Sequence, residues 1–315
     1  LEKPLIVVCD GMDDALFKEF KADAKLNVHA QKKVTRDELK ALLPKAAGLI
    51  IRSATTVDKE LMDLAPNLKL VIRAGEGTDN IDKKFAAQKG VKVANTPGAN
   101  ANSAAEHAIA LMFTVLRKTA WANSSMQKGE WDKNSFSGLE LWKKTVGIVG
   151  FGKIGQIVAQ RISGFEPKVL FYDPIVQTTD MPFAKKADLD EVLSKSDIVT
   201  IHVPLIPQTK NLINAEKLAK MKKGSILINA ARGGIVDEDA LAGALKEGPL
   251  SGAGFDVFAT EPMDANHPLR KLPNLVLTPH LGASTAEAQE RVGEMAVHQM
   301  REFFLKNNLL FEVKA

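Results

Sequence analysis

Thr145-Val146-Gly147-Ile148-Val149 runs directly into Gly150-Phe151-Gly152-Lys153-Ile154-Gly155, and Asp173 stands 18 positions after the last glycine. The first run reads as a strand, and the glycines open a helical pattern through Ile154, Ile157, Val158 and Ile162. A second strand ends at Asp173. A GxGxxG alone is a weak signal; between a strand and a helix, with an acid about 20 residues on, it marks a dinucleotide fold. Gly150 permits the tight turn, Gly152 lets a pyrophosphate approach the backbone, and Gly155 lets helix pack on strand. Free N–H groups at the helix start supply hydrogen bonds and partial positive charge to phosphates. Asp173 can accept ribose hydroxyls and would repel a 2′-phosphate, so NAD is expected rather than NADP.

Outward from this motif, β-rich runs alternate with helical patterns, which predicts an α/β fold with two doubly wound parallel sheets. Before it, strands are expected at Leu5–Val8, Leu26–His29, Gly48–Ile51, Leu70–Arg73 and Val91–Val93. After it, they are expected at Val169–Tyr172, Ile198–Ile201, Ser225–Ile228, Ser251–Phe255 and Leu275–Leu277. Thr35 with Glu38 makes a capping box, and Asp58 caps the helix through Leu61, Met62 and Leu64. Asn95-Thr96-Pro97-Gly98 punctuates the chain. A long helix follows from Asn102 or Ser103, with Ala108, Leu111, Met112, Val115 and Leu116 on its apolar face. The segment carrying Trp121, Trp131 and Trp142 reads as irregular. The closing helix, about Thr285 to Phe304, has no strand after it and should pack back onto the first domain.

The 315 residues suit two domains, and 45% hydrophobic with 25% charged content is ordinary for a globular enzyme. The net charge of +4 is not gathered in a tail, so Lys143-Lys144 and Lys222-Lys223 read as solvated faces and no nucleic-acid partner is expected. The single cysteine, Cys9, excludes an intramolecular disulfide and a cysteine-based metal cluster. With no signal core and no apolar run of about 20 residues, neither secretion nor a membrane span is expected, and a cytoplasmic setting fits.

Three polar clusters follow late strands: Asn229 to Glu238 around Arg232, Asp256-Val257-Phe258 with Glu261-Pro262, and Pro279-His280-Leu281-Gly282. Ligands in open α/β sheets bind beyond the carboxyl ends of strands. Oxidising a 2-hydroxy acid needs a cation for the carboxylate, a base for the hydroxyl proton and a hydride acceptor. Arginine grips a carboxylate with two parallel hydrogen bonds. Histidine exchanges protons near neutrality, and a carboxylate beside it would orient the ring.

These clusters, with Arg73-Ala74-Gly75, Asp79 to Asp82, Asn95 to Gly98, Ala104 to His107 and His202-Val203-Pro204-Leu205, occur in one familiar order. The chain resembles the D-isomer-specific 2-hydroxy-acid dehydrogenases over essentially its whole length, and within them the phosphoglycerate dehydrogenase branch. The resemblance implies Arg232 as carboxylate anchor, His280 as acid/base and Glu261 as its partner. It implies NAD contacts from Gly150, Gly152, Lys153, Ile154, Gly155, Asp173, His202, Pro204, Thr209, Ala230, Arg232, Asp256, His280 and Gly282, and no metal. It implies a phosphorylated 2-hydroxy acid held by Arg52, Arg73, Ala74, Gly75, Asn102, Arg232 and His280, with Lys133 reaching across from a second subunit. Glu76 departs from the family, which commonly carries a small or apolar residue there; an acid is unhelpful to an anionic substrate unless it turns to solvent. His107 and His29 have no comparable context and read as structural or exposed.

The family's architecture implies a substrate domain of residues 1–98 plus 284–315, flavodoxin-like, with a Rossmann-type nucleotide domain of residues 99–283 inserted. The long helix and the tryptophan segment resemble its dimer-forming region, so a homodimer or larger homo-oligomer is expected. Larger members append a serine-responsive domain, and an end at Ala315 predicts no feedback by that route. Two rivals share the fold: a glyoxylate or hydroxypyruvate reductase with less need of Arg52, and an NAD-sensing corepressor acting through peptide-binding surfaces.

Overall fold

A computed structural model describes residues 2–314. They divide into two compact units, one running through Asn100 and resuming at Ala283, the other Ala101–Gly282.

The first unit carries a parallel sheet ordered β2-β1-β3-β4-β5. Its strands are β1 (Leu5–Val8), β2 (Asn27–Ala30), β3 (Ala46–Ile51), β4 (Leu70–Arg73) and β5 (Lys92–Asn95). The order is flavodoxin-like, with a switch between β1 and β3. Thr35 forms the expected capping box with Glu38, and Asp58 accepts the Leu61 N–H. The last helix, α11 (Ala286–Lys306), lays Val292, Ala296, Val297 and Met300 against Ile6, Val8, Ile50 and Ile72. Gly48 on β3 makes room for it, because a Cβ there would stand 2.8 Å from Met300 Sδ. Arg301 then pairs with Glu19 and Asp23, each at 3.0 Å. Burial pushes the Cys9 thiol up, as for a core residue at the end of β1.

The second unit holds a seven-stranded parallel sheet ordered β12-β11-β10-β9-β6-β7-β8. The strands are β6 (Thr145–Val149), β7 (Lys168–Tyr172), β8 (Ala184–Lys186), β9 (Ile198–Ile201), β10 (Ser225–Asn229), β11 (Leu250–Phe255) and β12 (Leu275–Leu277). Counted within the unit, the sheet winds outward both ways from its first strand, the Rossmann pattern. β8 was not expected from the sequence, nor was α6 (Thr119–Gln127), a helix within the supposedly irregular segment of Trp121. The long helix α5 spans Ala101–Leu116 and buries the predicted stripe. It sits close on β11, where a Cβ on Gly252 would stand 2.8 Å from Val115 Cγ1 and one on Gly254 would stand 3.2 Å from Leu111 Cβ. Among the described residues no helix is long and apolar enough to cross a membrane.

Register decides what the second sheet presents. Tyr172, Val149, Ile201, Asn229, Phe255 and Leu277 are partners across neighbouring strands. The next residue on each strand therefore emerges at one carboxyl edge: Asp173, Gly150, His202, Ala230, Asp256 and Thr278.

Candidate active site

The loop after β10 is shaped by Asn229, 1% exposed. Its side chain accepts the Ala231 N–H at 3.1 Å and donates to the Arg232 carbonyl at 3.0 Å. The Arg232 guanidinium donates to the Ala231 carbonyl at 2.7 Å. At Gly233 a Cβ would stand 1.8 Å from the Phe258 carbonyl oxygen, so only glycine lets these backbones touch. The Phe258 N–H donates to Glu261 Oε1 at 3.0 Å, and the Ala259 N–H to Glu238 Oε1 at 2.6 Å. The Arg232 loop thus lies directly on the loop that aims Glu261.

Glu261 Oε2 lies 2.6 Å from His280 Nδ1. A carboxylate only accepts, so Nδ1 carries the hydrogen and a neutral ring offers Nε2 as its free acceptor. Burial alone would raise the Glu261 pKa, but the His280 ring and the Phe258 N–H outweigh it and hold the carboxyl below its usual value. His280 has φ +56, a left-handed conformation rare for residues other than glycine. Its N–H donates to the Asp256 carbonyl at 2.9 Å, and the next two N–H groups, Leu281 and Gly282, donate to the Asp256 carboxylate at 2.7 and 2.8 Å.

The glycine loop fits a dinucleotide. Gly150 has φ +95 with the His202 carbonyl 2.6 Å from its absent Cβ, and at Gly155 a Cβ would stand 2.2 Å from the Gly150 oxygen. Gly152 faces open space and caps α7 (Lys153–Ile162) without a side-chain bond, leaving the first turn at Lys153 and Ile154 with N–H groups for phosphate. Asp173 does more than the sequence implies. Its Oδ2 accepts the Phe151 N–H at 2.7 Å and Oδ1 accepts those of Ile175 and Val176 at 2.8 and 2.9 Å, so it also braces the glycine loop. Burial keeps the His202 ring neutral, its pKa pulled down to about 4. Thr209 accepts the Ile206 N–H at 2.9 Å and donates to the Pro204 carbonyl at 2.5 Å, closing the turn after β9. Among the described residues no cluster of His, Cys, Asp and Glu could hold a metal ion.

In the first unit, the Arg52 N–H donates to Asp10 Oδ2 and the Asn80 amide donates to the Arg52 carbonyl, each at 2.6 Å. Burial lowers the pKa of the Arg52 guanidinium against the pull of Asp10, as for a cation short of water. The Arg73 guanidinium lies over Gly75, where a Cβ would stand 1.4 Å from Nη1. The Ala74 N–H is taken by the Ile51 carbonyl at 2.8 Å. Glu76 is exposed to solvent, and its carboxylate accepts the Gly98 N–H at 2.6 Å. In the second unit, Asn102 is exposed on the first turn of α5. Lys133 lines a cavity of about 330 Å³ with Trp131, Met126 and Phe136.

His107, read from the sequence as structural or exposed, makes structural contacts. Its Nε2 lies 3.1 Å from both Thr278 Oγ1 and Asp256 Oδ1. The available signal was its place four residues before Leu111, on the buried stripe of α5. Thr278 and Glu238 were overlooked as supports.

The model of the D-isomer specific 2-hydroxyacid dehydrogenase NAD binding domain matches residues 109–282. The chain is 49% identical over 268 residues to the D-3-phosphoglycerate dehydrogenase of Mycobacterium tuberculosis, covering 84% of this chain and 51% of that protein. It therefore spans about half the length of that relative. It is 47% identical over 260 residues to the hydroxypyruvate reductase of Thermotoga maritima, covering 82% of this chain and 85% of that one. The NAD-dependent formate dehydrogenase of Staphylococcus aureus, solved with NAD, superposes with a TM-score of 0.88 at 33% identity over 99% of each chain.

Proposed function

Because the chain belongs to the D-isomer-specific 2-hydroxyacid dehydrogenase family, we propose that it interconverts a D-2-hydroxy acid and its 2-oxo acid, with D-3-phosphoglycerate and 3-phosphohydroxypyruvate as its pair. That reaction would open serine biosynthesis. The observation that carries the chemistry is the 2.6 Å contact between Glu261 and His280 on a loop packed against that of Arg232.

Arg232 grips the substrate carboxylate through two N–H donors, which fixes the C2 carbon relative to His280. His280 Nε2 takes the C2 hydroxyl proton as the carbonyl forms, and Glu261 holds Nδ1–H so that the ring neither turns nor competes for that proton. Bound NAD supplies the acceptor for the C2 hydride, and the reverse reaction returns both hydrogens. Lys153, Ile154 and the glycine loop would seat its pyrophosphate, Asp173 its adenosine ribose, and His202, Pro204, Thr209, Ala230, Asp256 and Gly282 its remaining length.

Arg52 and Arg73 are the phosphate anchors in this reading, with Ala74, Gly75 and Asn102 as further substrate contacts. The desolvated Arg52 guanidinium supports it, since a doubly charged group would relieve that cation. Trp131, 83% exposed beside Lys133, supports a face between two copies of the chain, from which the partner would present Lys133. A second substrate reading, hydroxypyruvate reduction, is favoured by the Thermotoga relative, most of whose length the chain covers.

NADH oxidation with 3-phosphohydroxypyruvate, hydroxypyruvate, glyoxylate and pyruvate separates them. The phosphorylated substrate should give the highest kcat/KM. Arg52→Ala should cost it about 10- to 100-fold, the worth of a charged hydrogen bond, and cost hydroxypyruvate little. Equal losses on both would remove the phosphate assignment.

A further inference from the structure

We propose that His107 is a positioning residue for the reaction, acting through Asp256 to hold the His280 loop in its left-handed turn. This rests on the reading of His280 as acid/base.

Its placement follows from two matched repeats. Four helix residues advance about 6 Å, and two strand residues advance nearly the same. Val115 lies over Gly252 and Leu111 over Gly254. One further turn back along α5 and two residues further along the strand bring His107 to Asp256. The two glycines remove the side chains that would hold helix and strand apart.

The contact itself is directional. His107 Nε2 hydrogen-bonds Thr278 Oγ1 and lies beside Asp256 Oδ1, both at 3.1 Å, and it must carry the hydrogen, because the carboxylate only accepts and the hydroxyl's own hydrogen is already used. The Thr278 hydroxyl spends its own hydrogen on Asp256 Oδ1 at 2.6 Å. Asp256 has 0% exposure, so water cannot replace a lost donor. The same carboxylate accepts the Leu281 and Gly282 N–H groups, and the Asp256 carbonyl accepts that of His280. The two amides just after the proposed acid/base thus depend on one buried side chain, that of His280 itself depends on the same residue's carbonyl, and His107 fixes the side chain's angle from a separate element. Packing alone would be met by any apolar side chain of similar volume, whereas this arrangement requires a donor.

Two variants separate the alternatives. His107→Leu removes the donor and His107→Gln restores an N–H at similar reach. With His107→Leu, kcat should fall roughly 10- to 100-fold, as for a reacting group displaced by about an ångström. NADH affinity, read by fluorescence, should fall by much less than kcat, because the glycine loop and Asp173 are untouched. The kinetic isotope effect with deuterated NADH should rise as the transfer step becomes limiting. His107→Gln should recover most of kcat, and Thr278→Val should reproduce part of the loss if His107→Leu does not fold. Wild-type kcat in His107→Leu, a loss that Gln fails to recover, or unchanged kcat in Thr278→Val with His107→Leu unfolded would each overturn the proposal. His280→Ala in parallel keeps the two readings apart: undiminished turnover there overturns the site assignment, whereas an inactive His280→Ala beside an active His107→Leu overturns the positioning role alone.

Discussion

Asp10 in the first unit and Asp256 in the second perform the same task on neighbouring loops with different rigour. Asp10, past the end of β1, accepts the N–H of Arg52 at 2.6 Å and both the N–H and hydroxyl of Thr55 at 3.0 and 2.6 Å, clamping the loop after β3. Asp256, past the end of β11, accepts the Thr278 hydroxyl and the N–H groups of Leu281 and Gly282, clamping the loop after β12. In each case the clamped strand is the immediate neighbour. Asp10 is partly exposed, whereas Asp256 is fully buried and faces His107. The difference matches what each loop displays. Under the proposed function, a long arginine could swing to meet a phosphate, but an imidazole moving a proton would have to hold its distance and angle.

The largest effect that could break this contrast belongs to His280. His280→Ala should lower kcat by about 10²- to 10⁴-fold with NADH binding retained, measured by turnover and fluorescence titration. Undiminished turnover would leave the tighter clamp without a chemical purpose.

Next comes stability. Asp256→Asn should cost about 3 kcal/mol near neutral pH, the loss expected when a buried, multiply bonded charge is removed, and Asp10→Asn about 1 kcal/mol. Burial alone would raise the Asp256 pKa, but His107, Thr278 and the Leu281 N–H outweigh it and hold it below 3.8. Its contribution is therefore complete above the unfolded-state value and is lost as pH falls through the lower folded value. Melting curves of wild type and Asp256→Asn should be far apart at neutral pH and draw together in acid. A constant gap down to the strongest acid tolerated would contradict the assigned charge.

The smallest effect sharpens the looser side. Lys133→Ala should raise KM for 3-phosphohydroxypyruvate by no more than about fivefold, as for an exposed cation. A larger rise would give Lys133 a greater share in the proposed phosphate site than Arg52.

Much of this is legible in the sequence. Leu5–Val8, Leu70–Arg73, Thr145–Val149, Ile198–Ile201 and Leu275–Leu277 carry the same bounds in both readings, because short apolar runs ending at charged or glycine-bearing loops leave little freedom. Gly150 takes the positive φ, and Gly155 the close approach of helix to strand, that their spacing implied. Strand β8 escaped notice because Ala184-Lys185-Lys186 has no apolar alternation, being a partly covered edge. Helix α6 escaped because its Thr, Asn and Ser residues form no clear stripe. The contact between His107 and Asp256 joins residues 149 positions apart in the chain, and only the seating of α5 on β11 makes them neighbours. Glu76 was legible as an oddity, but its bond to the Gly98 N–H needed the fold of the intervening loop.

The seam at Gly233 has one more implication. A single methyl group at that position would demand the volume already filled by the Phe258 oxygen, and the backbones would have to part. Every reactive group would survive such a change, yet guanidinium and imidazole would belong to loops no longer in register. The molecule would become a cofactor receptor with its chemistry uncoupled, disarmed by a wedge rather than by the loss of any tool.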